Sequence, residues 1–156
     1  AIVANQTSII GKTSLVDSLK SLQVNIVKIF GPEHGFRGTA SAGAVVADSI
    51  DVMTGIPEIS LYGKKSKPSK EDLANVDVVI FDIQDVGARF YTYINLLARV
   101  MESCADNQKQ LIVLDRPNPN GFTVDGQGRT AHLSADRGFS CLRQGCTRAG
   151  VWCRQR

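Results

Sequence analysis

The segment IFGPEHGFRG, residues 29–38, brings three chemically active side chains onto one turn. Glu33, His34 and Arg37 follow directly after the apolar run VNIVKIF, between glycines that permit sharp changes of chain direction. A carboxylic acid held partly out of water on such a turn can act as a general acid, which makes Glu33 the leading catalytic candidate. Alternatively, Glu33 is a surface residue or pairs with Arg37. His34 either binds substrate or orients Glu33, or its ring is satisfied by the backbone.

Two arginines are candidates for binding an anionic ligand. The guanidinium groups of Arg37 and Arg89 can each hold a carboxylate through two parallel hydrogen bonds. The competing interpretation for each is an ion pair inside the protein, with Asp82 or Asp85, and the sequence does not choose between them.

Further polar clusters follow the other apolar runs of the sequence. Such clusters are typical of sites that bind polar ligands, although an Asp in this position also caps a following helix, and Asn in a loop is often a turn residue. The candidates are Asn5, Gln6 and Thr7 after AIVA, Asp82, Gln84 and Asp85 after VVIFDI, Tyr91 and Tyr93 shortly beyond, and Asp115, Arg116, Asn118 and Asn120 after LIVL.

Apolar runs alternating with helical periodicity predict the elements that position these side chains. Strands are expected at AIVA, VNIVKIF, EISLYG, VDVVIFDI and QLIVLD, helices at residues 13–22 and 88–106, and a short helix from the capping-box-like residues 69–72. Apolar strands separated by helices indicate a parallel sheet covered on both faces. We therefore predict an α/β fold with a doubly wound, mostly parallel, Rossmann-like sheet. Ligands bind beyond the carboxyl ends of such strands, where all the polar clusters fall.

Composition divides the chain into a body and a tail. The 156 residues suit one domain with a real core, and no apolar run is long enough to span a membrane. Residues 1–126 carry a net charge of −2, whereas residues 127–156 carry +5 from six Arg and one Asp. The net positive charge of the chain therefore comes from the tail. The charge of the body gives no indication of nucleic-acid binding.

The tail, residues 127–156, is predicted to be irregular and rich in Arg and Cys. It contains Cys141, Cys146 and Cys153 but no CxxC pair, so its spacing is a weak match to a zinc site, and no metal is assigned. Its abrupt change of composition favours an out-of-frame translation from about Gln127 over a natural basic extension.

A nucleotide-binding interpretation rests on the segment IIGKTSL, which resembles the end of a P-loop. The motif requires a glycine where this chain has Gln6, and without it the loop cannot wrap a phosphate with backbone N–H groups. The alternative, a polar turn that enters a helix, is favoured.

Four long blocks together resemble one known family. The blocks are NQTS…GKTSLVDSL…IFGPEHGFRG, AGA…DSIDVMTGIPEISLYG, KPSKEDLANVDVVIFDIQDVGARFYTYI and LIVLDRPNPNGFTVDG. They are similar to the exo-β-N-acetylmuramidases of the NamZ type, glycoside hydrolase family 171. The resemblance covers roughly residues 2–126. It implies a bacterial hydrolase of cell-wall recycling, a glycosidase without a cofactor that releases N-acetylmuramic acid from the non-reducing ends of peptidoglycan glycans.

The resemblance also implies roles for particular residues. The GPEHG block makes Glu33 the expected catalytic residue. The second catalytic group is left open between Asp82, Asp85 and Asp115, and so is the retaining or inverting outcome. We expect Arg37 or Arg89 to hold the lactyl carboxylate of muramic acid. The expected substrate-binding set is Asn5, His34, Arg37, Asp82, Gln84, Arg89, Tyr91, Asp115 and Arg116.

The resemblance sets expectations about extent and location. Residues 1–126 are expected to form the Rossmann-like catalytic domain, incomplete at its N-terminus, with the smaller C-terminal domain of the family absent. The family acts in the cell wall, the periplasm or outside the cell. The competing function is a non-catalytic sugar-binding or structural fragment.

Overall fold

A computed structural model describes residues 1–38, 48–63, 65–88 and 91–120, together with the backbone of residues 152–155. Within these residues the elements are two helices, a seven-stranded sheet and a small two-stranded hairpin. In chain order they are β1 (Ile2–Ala4), β2 (Ile9–Ile10), β3 (Thr13–Ser14), α1 (Leu15–Ser21), β4 (Ile29–Gly31), β5 (Ser49–Ile50), β6 (Pro57–Ser60), β7 (Val78–Asp82), α2 (Tyr93–Asp106), β8 (Gln110–Asp115) and β9 (Trp152–Gln155).

The large sheet has the order β5-β6-β4-β1-β7-β8-β9. Every neighbouring pair is parallel except β5 with β6, which is an antiparallel edge pair. The chain runs from β1 outward through β4 to β6, then returns to the other side of β1 for β7 and β8. This reversal of direction beside β1 defines a doubly wound Rossmann-like sheet, so the predicted fold class is confirmed.

Core packing explains why the strands are apolar along their whole length. Ile2 and Ala4 of β1 pack with Leu15 and Val16 of α1 on one face of the sheet. The intervening Val3 belongs to a larger cluster on the other face, which includes Leu97, Val100 and Cys104 of α2. Because successive strand residues point to opposite faces, apolar residues are required at every position of a strand covered on both sides.

Helix α1 is shorter than the predicted helix over residues 13–22. Thr13 and Ser14 belong to β3, which pairs antiparallel with β2 to form a hairpin that the sequence analysis missed. The Ser14 hydroxyl accepts a hydrogen bond from the Val16 backbone N–H and so caps the helix. Leu22, the last residue of the predicted helix, is the C-cap and is exposed. The P-loop-like segment is thus a hairpin leading into a capped helix.

Other element boundaries also differ from prediction. Helix α2 starts at Tyr93 instead of Ala88, and the Tyr91 N–H donates to the Ala88 carbonyl before the helix begins. The capping box at Ser69 and Asp72 does form, with each backbone N–H donating to the other side chain. Residues 70–75 continue it as turns and not as a helix. In the part of the chain that the structure describes, no helix is long and apolar enough to cross a membrane.

Candidate active site

The carboxyl ends of the central strands form one continuous edge. Ala4 of β1 pairs with Asp82 of β7, and Gly31 of β4 pairs with Ser60 of β6. The polar segments that follow β1, β4, β7 and β8 therefore emerge at the same edge, as predicted, and the segment after β6 joins them. The crevice between β1 and β7 is the point where the strand order reverses, which is the usual ligand-binding position in such sheets.

Glu33 is presented by a tight turn at the end of β4. The Gly35 N–H donates to the Pro32 carbonyl at 2.9 Å, which closes a four-residue turn with Glu33 and His34 at its centre. His34 has a φ of 74°, the positive value that the third position of a type II turn requires. A non-glycine residue in this conformation stores strain, a feature that concentrates at functional sites.

A buried carboxylate from the neighbouring strand anchors this turn. Glu58 of β6 accepts a hydrogen bond from the Phe36 N–H at 2.7 Å. Gly31 lies so close that a side chain there would place its Cβ 2.6 Å from Glu58 Oε1 and 2.9 Å from the Phe36 nitrogen. The glycine thus allows the close approach that fixes the turn carrying Glu33.

Tyr62 contacts the candidate catalytic residue. It follows the carboxyl end of β6, the strand next to β4. The Glu33 carboxylate, first as a hydrogen-bond acceptor and then through its charge, raises the pKa of the Tyr62 phenol above its usual value. Tyr62 is not among the site residues predicted from the sequence. Its position could have identified it, because Tyr62 lies two residues beyond the end of a strand, and the predicted site residues also lie at or beyond strand ends.

Arg37 is held by two carboxylates of the protein. Its Nε lies 2.5 Å from Asp51 Oδ1 and its Nη2 2.8 Å from Asp51 Oδ2. Its Nη1 and Nη2 also donate to Asp17 of α1, at 3.2 and 3.0 Å. The predicted alternative of an internal ion pair is therefore present, but with Asp17 and Asp51 instead of Asp82 or Asp85. Four of the five N–H groups of Arg37 are used in this way, which leaves too few for a bidentate substrate clamp.

The ion pairs of Arg37 with Asp17 and Asp51 shift the pKa values of the groups involved. The hydrogen bond from Arg37, aided by the Thr54 hydroxyl, lowers the pKa of Asp51 from 3.8 to about 2. The same two acidic partners raise the pKa of Arg37 further above its normal value. Because Arg37 belongs to the loop of Glu33, this cluster ties that loop to α1 and to the segment after β5.

The crevice at the strand-order reversal joins β1, β7 and β8. The Asn5 N–H donates to the Ser8 hydroxyl at 3.1 Å, and that hydroxyl in turn donates to the Asp82 carbonyl. The Asp82 carboxylate forms an ion pair with Arg116, with 2.5 Å between Oδ1 and Nη2. Arg116, which follows β8, is thus paired with a residue at the end of the neighbouring strand β7. The Asp82 side chain is only 2% exposed, so it is poorly placed to reach the anomeric carbon of a substrate.

A small pocket opens beside this crevice, beyond the ends of β7 and β8. The loops that border it are held together, since Asn120 Nδ2 donates to the Val86 carbonyl at 2.7 Å. Tyr91 packs edge-on against Tyr93, with 4.8 Å between the ring centroids. Arg89 lies outside the described residues. The polar residues lining the pocket are Gln84, Asp85, Tyr93, Asp115 and Arg116.

This edge of the sheet has the parts that a glycosidase needs. A carboxyl group stands on a constrained turn at β4, and further carboxylates line a pocket two to three strands away. With about 4.8 Å between strands, the β4 and β7 axes lie roughly 10 Å apart, so residues of these loops can reach across one sugar ring. Among the described residues, no three His, Cys, Asp or Glu side chains come together as metal ligands would.

Comparison with known proteins agrees with this architecture. The sequence model of the family described as exo-beta-N-acetylmuramidase NamZ, N-terminal, matches residues 1–146. The chain is 53% identical over 113 residues to the peptidoglycan beta-N-acetylmuramidase NamZ of Bacillus subtilis strain 168, a match that covers 70% of this chain and 27% of that protein.

Two crystal structures of DUF1343 family proteins from Bacteroides fragilis NCTC 9343 share the fold. One is 34% identical, with a TM-score of 0.74, over 99% of this chain and 43% of that chain. The other is 45% identical, with a TM-score of 0.67, over 80% of this chain and 31% of that chain. The chain thus spans between about a quarter and two fifths of the length of these relatives. It belongs to the NamZ N-terminal domain family of exo-β-N-acetylmuramidases.

Proposed function

We propose that this chain is the Glu33-bearing part of a glycosidase that releases N-acetylmuramic acid from the non-reducing ends of peptidoglycan glycans. The observation that carries the proposal is the placement of Glu33 on a strained turn at the carboxyl edge of the sheet, in a chain that belongs to this family. The similar Bacillus subtilis protein is named as a peptidoglycan β-N-acetylmuramidase.

Glu33 would protonate the leaving glycosidic oxygen, and a second carboxylate would assist at the anomeric carbon. Asp82 is the weakest of the three original candidates for the second role, because its buried carboxylate is paired with Arg116. Asp85 and Asp115 both line the open pocket and are the better candidates. Tyr62 would orient the Glu33 carboxyl through its hydroxyl.

The lactyl carboxylate of muramic acid is assigned to Arg89. Arg37 was the other candidate, but its guanidinium is occupied by Asp17 and Asp51. Arg89 follows the same strand end as the pocket-lining Gln84 and Asp85 along the sequence. We further propose action in the cell wall, the periplasm or outside the cell, where this substrate occurs.

The test is release of chromophore from a β-N-acetylmuramide by this chain, with Glu33→Gln as the matched variant. Release by the wild type and its loss in Glu33→Gln would support the proposal. Binding of the muramide without release would instead favour a sugar-binding module. An equal rate of release by both proteins would refute the assignment of Glu33.

A further inference from the structure

The amide of Asn5 has a buried donor that the described residues leave without a partner. Asn5 lies just beyond β1 and is 1% exposed. Its Oδ1 accepts hydrogen bonds from the Thr7 N–H at 2.9 Å and from the Thr7 hydroxyl at 2.7 Å. Since a backbone N–H can only donate, these bonds fix the orientation of the amide. The Nδ2 group then has no hydrogen-bond partner among the described residues.

Arg116 supplies a second donor of the same kind. Its Nη2 is engaged with Asp82, whereas its buried Nη1 has no hydrogen-bond partner among residues whose placement is described. Asp82 connects the two donors, because its carbonyl accepts from Ser8, which is bonded to Asn5, and its carboxylate holds Arg116. Buried donors are rarely left unpaired, since each costs free energy without a compensating acceptor. Two of them at the ligand-binding crevice point to an acceptor supplied by a ligand.

The charge of the crevice indicates which acceptor fits. Asp82 neutralises the guanidinium of Arg116, and Asn5 is uncharged, so this cluster has no net positive charge. An anionic ligand would lie beside the Asp82 carboxylate and would be repelled by it. A neutral oxygen, such as a sugar hydroxyl or an acetamido carbonyl, can accept from both N–H groups without that repulsion.

We infer that Asn5 Nδ2 and Arg116 Nη1 form a subsite for neutral oxygen acceptors of the sugar, separate from the site that holds its lactyl carboxylate. The inference rests on the proposed function, since it takes the bound sugar to be an N-acetylated hexosamine. It assigns these two residues to recognition of what N-acetylmuramic acid and N-acetylglucosamine have in common.

The test uses one substitution at each donor. Asn5→Asp keeps the oxygen that accepts from Thr7 and replaces the Nδ2 donor by an acceptor. Arg116→Lys keeps a cation for Asp82 and removes Nη1. The exposed residues Asn25 and Arg99 provide matched controls, Asn25→Asp and Arg99→Lys. If the buried charge of Asn5→Asp prevents folding, as checked by thermal unfolding, Arg116→Lys alone carries the test because its side chain is 29% exposed.

The measurement is the dissociation constant of each free sugar, by ligand-observed NMR with the 156-residue chain. We expect each variant to raise the dissociation constants of N-acetylmuramic acid and N-acetylglucosamine by the same factor, about 10-fold. This is the effect of losing one buried hydrogen bond. The controls should leave both constants unchanged.

If the variants weakened the binding of N-acetylmuramic acid alone, the inference would be overturned, because that result would place the lactyl carboxylate at these two donors. Unchanged binding of both sugars, or no binding of either by the wild type, would also overturn it. The proposed function has its own refuting outcome. It fails if the wild type binds both sugars, and the variants weaken both equally, yet the wild type releases no chromophore from a β-N-acetylmuramide.

Discussion

Replacing Arg37 by methionine separates a structural role from a substrate-binding role for this residue. The structure holds Arg37 between Asp17 and Asp51, and the Asp51 side chain is 4% exposed. Methionine keeps much of the length of the side chain but removes every hydrogen bond to these carboxylates. We therefore expect Arg37→Met to lower stability and to leave the Michaelis constant for a β-N-acetylmuramide unchanged.

The size of the effect follows from the pKa of Asp51. That pKa falls from 3.8 to about 2 in the folded protein, and at about 1.4 kcal/mol per pKa unit the shift corresponds to roughly 2 kcal/mol. Solvent screening of the partly exposed Arg37 reduces this value, whereas the unpaired Asp51 left behind adds to the loss. We expect the free energy of unfolding to fall by about 2 kcal/mol at pH 7.

Urea unfolding between pH 2 and pH 7 measures this contribution. A carboxylate whose pKa is lowered by folding stabilises the protein above its unfolded pKa, and that stability is lost as pH falls through the folded value. The difference between wild type and Arg37→Met should thus be full above about pH 4 and shrink towards pH 2. The double variant Arg37→Met/Asp51→Asn should recover part of the loss. Unchanged stability combined with a raised Michaelis constant would refute this reasoning and restore Arg37 as a substrate clamp.

Three further predictions concern the Glu33 turn. Glu33→Gln should reduce kcat for β-N-acetylmuramide hydrolysis by about 10²- to 10⁴-fold in a chromogenic assay, and a smaller loss would argue against general-acid catalysis. The same substitution should lower the pKa of the Tyr62 phenol towards its usual value, because it removes the carboxylate that raises that pKa; spectrophotometric titration with Tyr62→Phe as reference measures it, and an unchanged titration would contradict the contact. Gly31→Ala should destabilise the protein by about 1–3 kcal/mol in urea unfolding, because its Cβ would lie 2.6 Å from Glu58 Oε1. A fully stable Gly31→Ala protein would show that the turn relaxes easily.

Much of the fold could be predicted from local patterns in the sequence. The run VDVVIFDI is apolar at successive positions, which suits only an element covered on both faces, and it forms β7. Leu97, Val100 and Cys104 are spaced as on one face of a helix, and all three are buried in α2. The order of strands and helices then required a parallel sheet, and the carboxyl-end rule identified the edge on which the polar clusters lie.

Short-range geometry was beyond the reach of periodicity. The two-residue strands β2 and β3 are too short to show alternation, so their hairpin was read as a turn entering a helix. Leu22 continues the apolar spacing of α1, but the helix ends one residue earlier and leaves it exposed. A pattern of residue types does not record where backbone hydrogen bonding stops.

The partners of charged groups depended on tertiary structure alone. Arg37 meets Asp17 from α1 and Asp51 from the segment after β5, which are 20 and 14 residues away in sequence. Asp82 meets Arg116 because β7 and β8 are neighbours with aligned ends. The sequence by itself determined which residues reach the carboxyl edge of the sheet, since strand order and chain direction are encoded by local patterns. Only the folded structure decided which of them bind each other, because ion pairing depends on distances of a few ångströms that sequence spacing does not contain.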